Sequence, residues 1–217
     1  MRIALEGGLD LDLEAVMADA AGLYGDRVKR SPEQILDDLR PFLHDRVRFV
    51  LERAGYTYDE IEAALVVGTA DLPDLRARVD ALHKVRESAD FLSVVLAAKR
   101  IANITKDVKD GDPEKTAPDE ALLTEPAERD LWKAFQGLRA EVVEAAAAHD
   151  YERCLRRIAD LAPVLDKFFV EVLVMAEDPK VKQNRIALLQ TIGRTVNRTA
   201  RITEVVVDKA EARAKAG

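Results

Sequence analysis

Lys99, Arg100, Asn103 and Lys106 fall inside one short stretch, AAKRIANITKD, residues 97–107. On a helix, Asn103 lies one turn from both Lys99 and Arg100, and Lys106 lies one turn further. Such a patch suits single-stranded RNA. Arginine offers a planar fork and a stacking surface, asparagine a donor and an acceptor, and splayed bases are read by groups of this kind. Lysine adds phosphate attraction without sequence preference. The spacing also fits a solvated helix face, with Asn103 capping or crossing to a neighbouring helix.

Other chemistry is harder to assemble. Gly7-Gly8 leads into an acidic helix with no lysine where a phosphate loop needs one. The single cysteine, Cys154, excludes an internal disulfide and a cysteine-built zinc site, and it fits a reducing compartment. His44-Asp45 and His149-Asp150 invite a metal phosphohydrolase reading, but only His83 remains to complete a ligand set. The plainer expectation is a polar pair on a helix face for the first and a helix boundary capped by Asp150 for the second. Asp10, Asp12 and Glu14 read as capping and dipole complement. No catalytic residue and no metal ligand is expected.

The elements that must position these residues read as helices. Hydrophobic residues make up 48% of the 217, charged ones 34% and aromatics only 5%, which suits aliphatic helix packing. Asp12 precedes a short helix ending near Gly25. Ser31-Pro32-Glu33-Gln34 opens a second, in which Pro41 predicts a kink or break. Thr57 to Glu60 forms another capping box. Asp71 opens a helix to about Ser88, and the next runs from about Asp90 to Val108 with Val94, Val95, Ala98, Ile101, Ala102, Thr105 and Val108 as its apolar stripe. KDGDPEKTAP, residues 109–118, reads as a linker. Helices follow over 125–148, over 150–161 and from Pro163. A last one starts at Pro179, carries Val196, Ile202 and Val205, and frays in AEARAKAG. VLVM and VVV are placed inside helical periods, and no strand is expected. The first 25 or so residues have little to pack against.

Charge is uneven. Net charge is −7 overall, yet Arg76–Lys109 carries eight basic and four acidic residues, and Lys180–Gly217 carries nine and three. Asp110–Asp130 between them carries two and eight. Solvated helix faces explain such segments as well as an RNA surface does. No apolar run nears the ~20 residues of a membrane span, and MRIALEGGLDLDLE does not read as a signal peptide.

A resemblance adds weight to RNA. Residues 58–106 resemble the C-terminal region of the beta subunit of bacterial-type glycyl-tRNA synthetase, whose Lys-Arg-(Ile/Val)-x-Asn-Ile signature stands here as Lys99-Arg100-Ile101-Ala102-Asn103-Ile104. ALLTEPAERDLWKAF (121–135), DYERCLRRIADLAPVLDKFF (150–169) and VLVMAEDPKVKQNRIALLQTI (172–192) are similar to later blocks, the last with Asp178, Asn184, Arg185, Leu188 and Leu189 at matching places. Residues 41–65 resemble the helical piece before the anticodon-binding domain, and residues 9–24 the end of an upstream His-Asp phosphohydrolase-like domain. The resemblance implies an all-α bundle similar to the anticodon-binding domain of arginyl-tRNA synthetase. It would span 31–217, with 1–30 as the tail of the upstream domain. It implies tRNA-Gly, the alpha subunit and the rest of the beta subunit as partners in the cytoplasm, with no DNA and no membrane. It implies no cofactor in this chain, since ATP and Mg act at the alpha subunit. Family members are much longer, which implies a fragment, a split gene product or a relic.

On that footing Lys99, Arg100, Asn103 and Lys106 are expected to meet the anticodon arm, with Asn184 and Arg185 approaching the same surface. Arg100, Asn103 and Arg185 suit bases, and Lys99 and Lys106 suit phosphates. The two basic segments would form two sides of one groove. A helical protein-interaction module that docks a partner subunit without touching RNA is the alternative, and in a purely structural reading Arg100 and Asn103 serve helix packing.

Overall fold

Capping residues set the helix starts. The computed structural model describes residues 2–7, 9, 11–27, 29–68, 71–106, 108 and 117–208. It places α1 at Arg2–Gly7 and α2 at Leu13–Leu23. Asp12 caps α2 by accepting from the Ala15 amide at 2.9 Å. α3 (Pro32–Arg53) opens on the reciprocal Ser31–Gln34 box, and α4 (Tyr58–Leu65) on Thr57 and Glu60, whose carboxylate accepts from the Thr57 amide at 2.9 Å. Asp71 caps α5 (Leu72–Val85) and Ser88 caps α6 (Ala89–Thr105). α7 (Pro126–Ala147), α8 (Tyr151–Ala159), α9 (Ala162–Glu171) and α10 (Pro179–Val196) follow. Among the described residues there is no strand, only an isolated antiparallel bridge between the caps Asp12 and Asp71.

The bundle proper is α4 to α10. α7 packs on α8, α9 and α10, α5 packs on α8, and α6 lies against α8, α9 and α10. Phe91, Phe135, Phe168, Leu131, Leu155 and Ile158 fill the centre without solvent exposure. Burial of that kind contributes about 1.5–3 kcal/mol per large apolar side chain. Cys154 lies in this core, where burial raises its thiol pKa and the Val142 carbonyl accepts its proton at 3.2 Å. α2 and α3 form a hairpin, and α3 joins the core through Val47 and Leu51, packing on α4. α2 buries no residue and is tied to α3 by Glu14 and Arg40. α1 does bury Ala4 and Leu5 and packs on α5, so the expectation that the first 25 or so residues have little to pack against is corrected there.

Four further expectations change. Of the kink or break expected at Pro41, the break does not occur, and α3 runs through as one helix: the missing amide removes one bond to the Asp37 carbonyl, and the ring sits at an exposed position. α10 ends at Val196 rather than continuing; Asn197 caps it through a side-chain amide donating to the Gly193 carbonyl at 2.9 Å. Ile202 and Val205 are buried from a 3-10 turn over Ile202–Glu204, not from a helix. Val172–Met175 likewise lies in the link between α9 and α10, and Val205–Val207 is irregular. The stripe of α6 holds at Val94, Val95, Ala98 and Ile101, which are buried, but Ala102 and Val108 are exposed. Most of the 109–118 linker and the 210–217 tail lie outside the described residues.

A polar hub fixes the segment after α10. Arg78 of α5 donates to the Thr199 carbonyl at 2.6 Å and to the Tyr151 hydroxyl at 2.8 Å, and its guanidinium stacks 4.2 Å from the Tyr151 ring centre. Asp74 accepts from Arg78 at 2.7 Å, from the Tyr151 hydroxyl and from His149. Burial pushes the Asp74 pKa up, but the bonds from Tyr151 and Arg78 and the charge of Arg78 outweigh it and leave the carboxyl below its ordinary value. Asp59 of α4 is held low in the same way: burial raises it, while the Thr57 hydroxyl, the Val206 amide and Arg86 win. The Val206 amide reaches Asp59 at 2.7 Å, and the Arg201 amide reaches the Ala63 carbonyl at 2.7 Å. Residues 198–206 are thereby strapped across α4 and α5.

Candidate nucleic-acid interface

α6 presents three faces, and its neighbours define them. Its buried side meets α8. On one flank Ser93 bonds Asp166 of α9 at 2.8 Å, and Arg100 places its guanidinium carbon 4.3 Å from the Phe169 ring centre of α9. On the other flank Ile101 packs against Gly193 of α10, so closely that a Cβ at Gly193 would stand 3.3 Å from the Ile101 Cγ2. At about 100° per residue, Lys99, Asn103 and Lys106 share an arc of about 60° on the remaining solvent side. Arg100, Asn103 and Lys106 are exposed and Lys99 is half-buried. None of these four makes a hydrogen bond or an ion pair among the described residues; Arg100 has only the phenyl ring beneath it.

Beside this edge runs a groove of about 530 Å³. One wall is Ala98, Ile101, Ala102 and Thr105 of α6, and the other is Gln190, Gly193, Arg194 and Asn197 of α10. Arg201, Thr203 and Glu204 of the strapped segment close one side. The walls come from the two basic segments, which the fold brings together as expected. Arg201 supplies positive charge in the groove, and Thr203 and Glu204 offer donors and acceptors. Such a slot can take a flat, polar-edged group with an anionic backbone outside it.

Asn184 and Arg185 belong elsewhere, which corrects the expectation that they approach the same surface. Both are 6% exposed. Arg185 donates to Glu128 of α7 at 2.7 Å, to the Leu173 carbonyl at 2.9 Å and to the Thr124 hydroxyl at 3.3 Å. Asn184 accepts from the Asp119 amide at 2.7 Å and donates to the Asp119 carbonyl at 3.0 Å. These side chains pin α10 to α7 and to the chain just after the linker, two turns before the groove begins.

The sequence reading did not single out Phe169, although its ring lies under Arg100. It also missed the wall made by Thr203 and Glu204, because a continuing helix would have sent them elsewhere. The His-Asp pairs do not converge. Asp45 pairs with Arg48 at 2.6 Å, Asp150 caps α8, and His149 takes a left-handed backbone, φ 57°, to reach Asp74 at 2.7 Å. No group of three or more His, Cys, Asp or Glu able to hold a metal ion occurs among the described residues. No helix there is long and apolar enough to cross a membrane.

Residues 94–207, which contain the α6 edge and the whole groove, match the family described as the DALR anticodon binding domain. The chain is 36% identical over 218 aligned residues to the glycine–tRNA ligase beta subunit of Anaeromyxobacter dehalogenans, covering all of this chain and 30% of that protein. Similar subunits from Acidobacterium capsulatum and Nitratidesulfovibrio vulgaris are 36% and 37% identical over 95% and 92% of this chain. The chain spans about 30% of the length of these curated relatives.

Proposed function

Because the chain belongs to the DALR anticodon binding domain family, we propose that it grips the anticodon arm of tRNA-Gly and thereby supports glycylation of that tRNA. Chemistry with ATP and Mg would lie on a separate alpha subunit. The rest of a beta subunit would be the other partner, residues 1–30 would be the tail of an upstream helical domain, and the cytoplasm would be the setting. In this reading a splayed anticodon base enters the α6–α10 groove, and Asn103 bonds another base lying over the solvent edge of α6. Arg100, held flat on Phe169, stacks on or bonds a neighbouring base. Lys99 and Lys106 hold phosphates. Asn184 and Arg185 position α10 and touch no RNA.

The observation that carries this reading is the untied edge of Lys99, Arg100, Asn103 and Lys106 beside an open groove inside the matched segment. The test is binding of the chain to a tRNA-Gly transcript at two salt concentrations, beside a transcript with an altered anticodon. A salt-sensitive preference for the tRNA-Gly anticodon is expected. Equal binding of both transcripts would overturn the anticodon reading.

A further inference from the structure

α3 carries four arginines, and the structure treats them in two ways. Arg40 and Arg48 are neutralised: Arg40 by Glu14 and Asp37, Arg48 by Asp45 at 2.6 Å and by Glu62 at 2.5 Å. Arg46 and Arg53 have no carboxylate partner among the described residues. Instead, Arg46 lies over the Phe42 ring, 5.0 Å from its centre, and Arg53 over the Phe49 ring, 5.7 Å from its centre. Both phenylalanines are 52% exposed, though a solvated helix position seldom needs one. Phe42, Arg46, Phe49 and Arg53 follow at steps of four, three and four residues, so at about 100° per residue they share one stripe about 60° wide. Of the carboxylates bordering it, Asp38 and Asp45 are held by Arg30 and Arg48, while Glu52, beside Arg53, is exposed.

We propose that this stripe is a second RNA-binding surface, outside the segment matched to the anticodon family, that holds a strand of the same tRNA away from the anticodon loop. The proposal rests on the RNA reading above. Alternating exposed rings and unneutralised guanidinium groups offer what a nucleic-acid strand requires: flat apolar faces for bases and fixed cations for phosphates. Each arginine is already settled on its ring, so less side-chain freedom is lost on binding. A purely apolar protein partner would find two desolvated cations in its interface, a costly arrangement.

The test uses the 217-residue chain in three forms: wild type, R46E/R53E in the stripe, and K99E/K106E at the groove edge. Each binds tRNA-Gly and altered-anticodon transcripts across a salt series. The proposal expects R46E/R53E to bind both transcripts about tenfold more weakly. Its slope of log affinity against log salt should be shallower by about 1.4–1.8, with the anticodon preference retained. F42A/F49A should weaken binding with the slope unchanged, and circular dichroism should show every variant folded. Wild-type affinity in R46E/R53E beside a weakened K99E/K106E would overturn the stripe and leave the anticodon reading standing. A weakened R46E/R53E with no effect of K99E/K106E and no anticodon preference would support the stripe and overturn the anticodon reading. A wild-type chain that binds neither transcript would overturn both. A stripe variant that changes only the sedimented mass of the chain would also overturn the stripe, marking it as a protein-docking face.

Discussion

The molecule holds the same two side-chain types twice, with opposite uses. On α6, Arg100 and Asn103 face solvent, Arg100 over a single phenyl ring. On α10, Asn184 and Arg185 are buried, and each is bonded to protein groups: a carboxylate, a hydroxyl and main-chain amide and carbonyl groups. The difference lies in the partners brought near, not in the residues. Arg185 meets Glu128, itself fully buried at the start of α7, and a buried charge must be paired. Arg100 meets no acid. The residues proposed to meet RNA are thus the ones whose hydrogen-bonding capacity the fold leaves unused.

The largest expected effect comes from breaking the α10 side. Glu128→Ala leaves the Arg185 charge buried and unpaired and should destabilise the chain by about 3–5 kcal/mol, read by urea denaturation. Retained stability together with lost tRNA binding would instead return Arg185 to the RNA surface. Next is the hub that straps residues 198–206. Asp74 and Asp59 are both held below their ordinary value of 3.8, so their contribution is complete above that value and lost as pH falls through the lowered one. The melting temperature should drop below about pH 4. Asp74→Asn should melt earlier at neutral pH, by about 1.5–3 kcal/mol, and show a weaker acid dependence.

On the α6 side the effect should move from stability to binding. Arg100→Ala should weaken tRNA binding by about 1–3 kcal/mol, in the range of one lost base stack, while melting shifts by no more than the about 0.5–1 kcal/mol of an exposed cation–ring contact. A collapse in melting would mean that Arg100 serves packing. The smallest change is expected for Lys99→Ala with Lys106→Ala. The salt slope should become shallower by about 1.4 with little change in anticodon preference, measured by titration at several salt concentrations.

Much of this was legible in the chain. Ser31-Pro32-x-Gln34, Thr57-x-x-Glu60 and Asp71 mark helix starts because their side chains satisfy amides locally, and local bonds are written locally. The α6 edge was legible because helical spacing alone sets which residues share a face. The role of Arg185 was not, since it depends on Glu128, 57 positions away. Nor was the groove. It needs α10 to stop at Asn197, where no proline or glycine stands, and it needs the long-range bonds of Arg78 to Thr199 and of Arg201 to Ala63 to hold the chain beyond.

That hold has a consequence for the order in which the molecule forms. The contacts that strap the segment after α10 span 121 residues from Arg78 to Thr199 and 147 from Asp59 to Val206. Closing loops of that length comes at an entropic cost that local helix formation does not incur, and contacts of high sequence separation slow folding. During synthesis, helices α4 to α9 can form and pair while the ribosome still holds residues beyond 196. The third wall of the groove, Arg201 to Glu204, is absent until that last stretch emerges. The pocket is thus the final part of the domain to exist, and a chain stalled a few residues short of Val206 would be helical, nearly complete and without a closed groove.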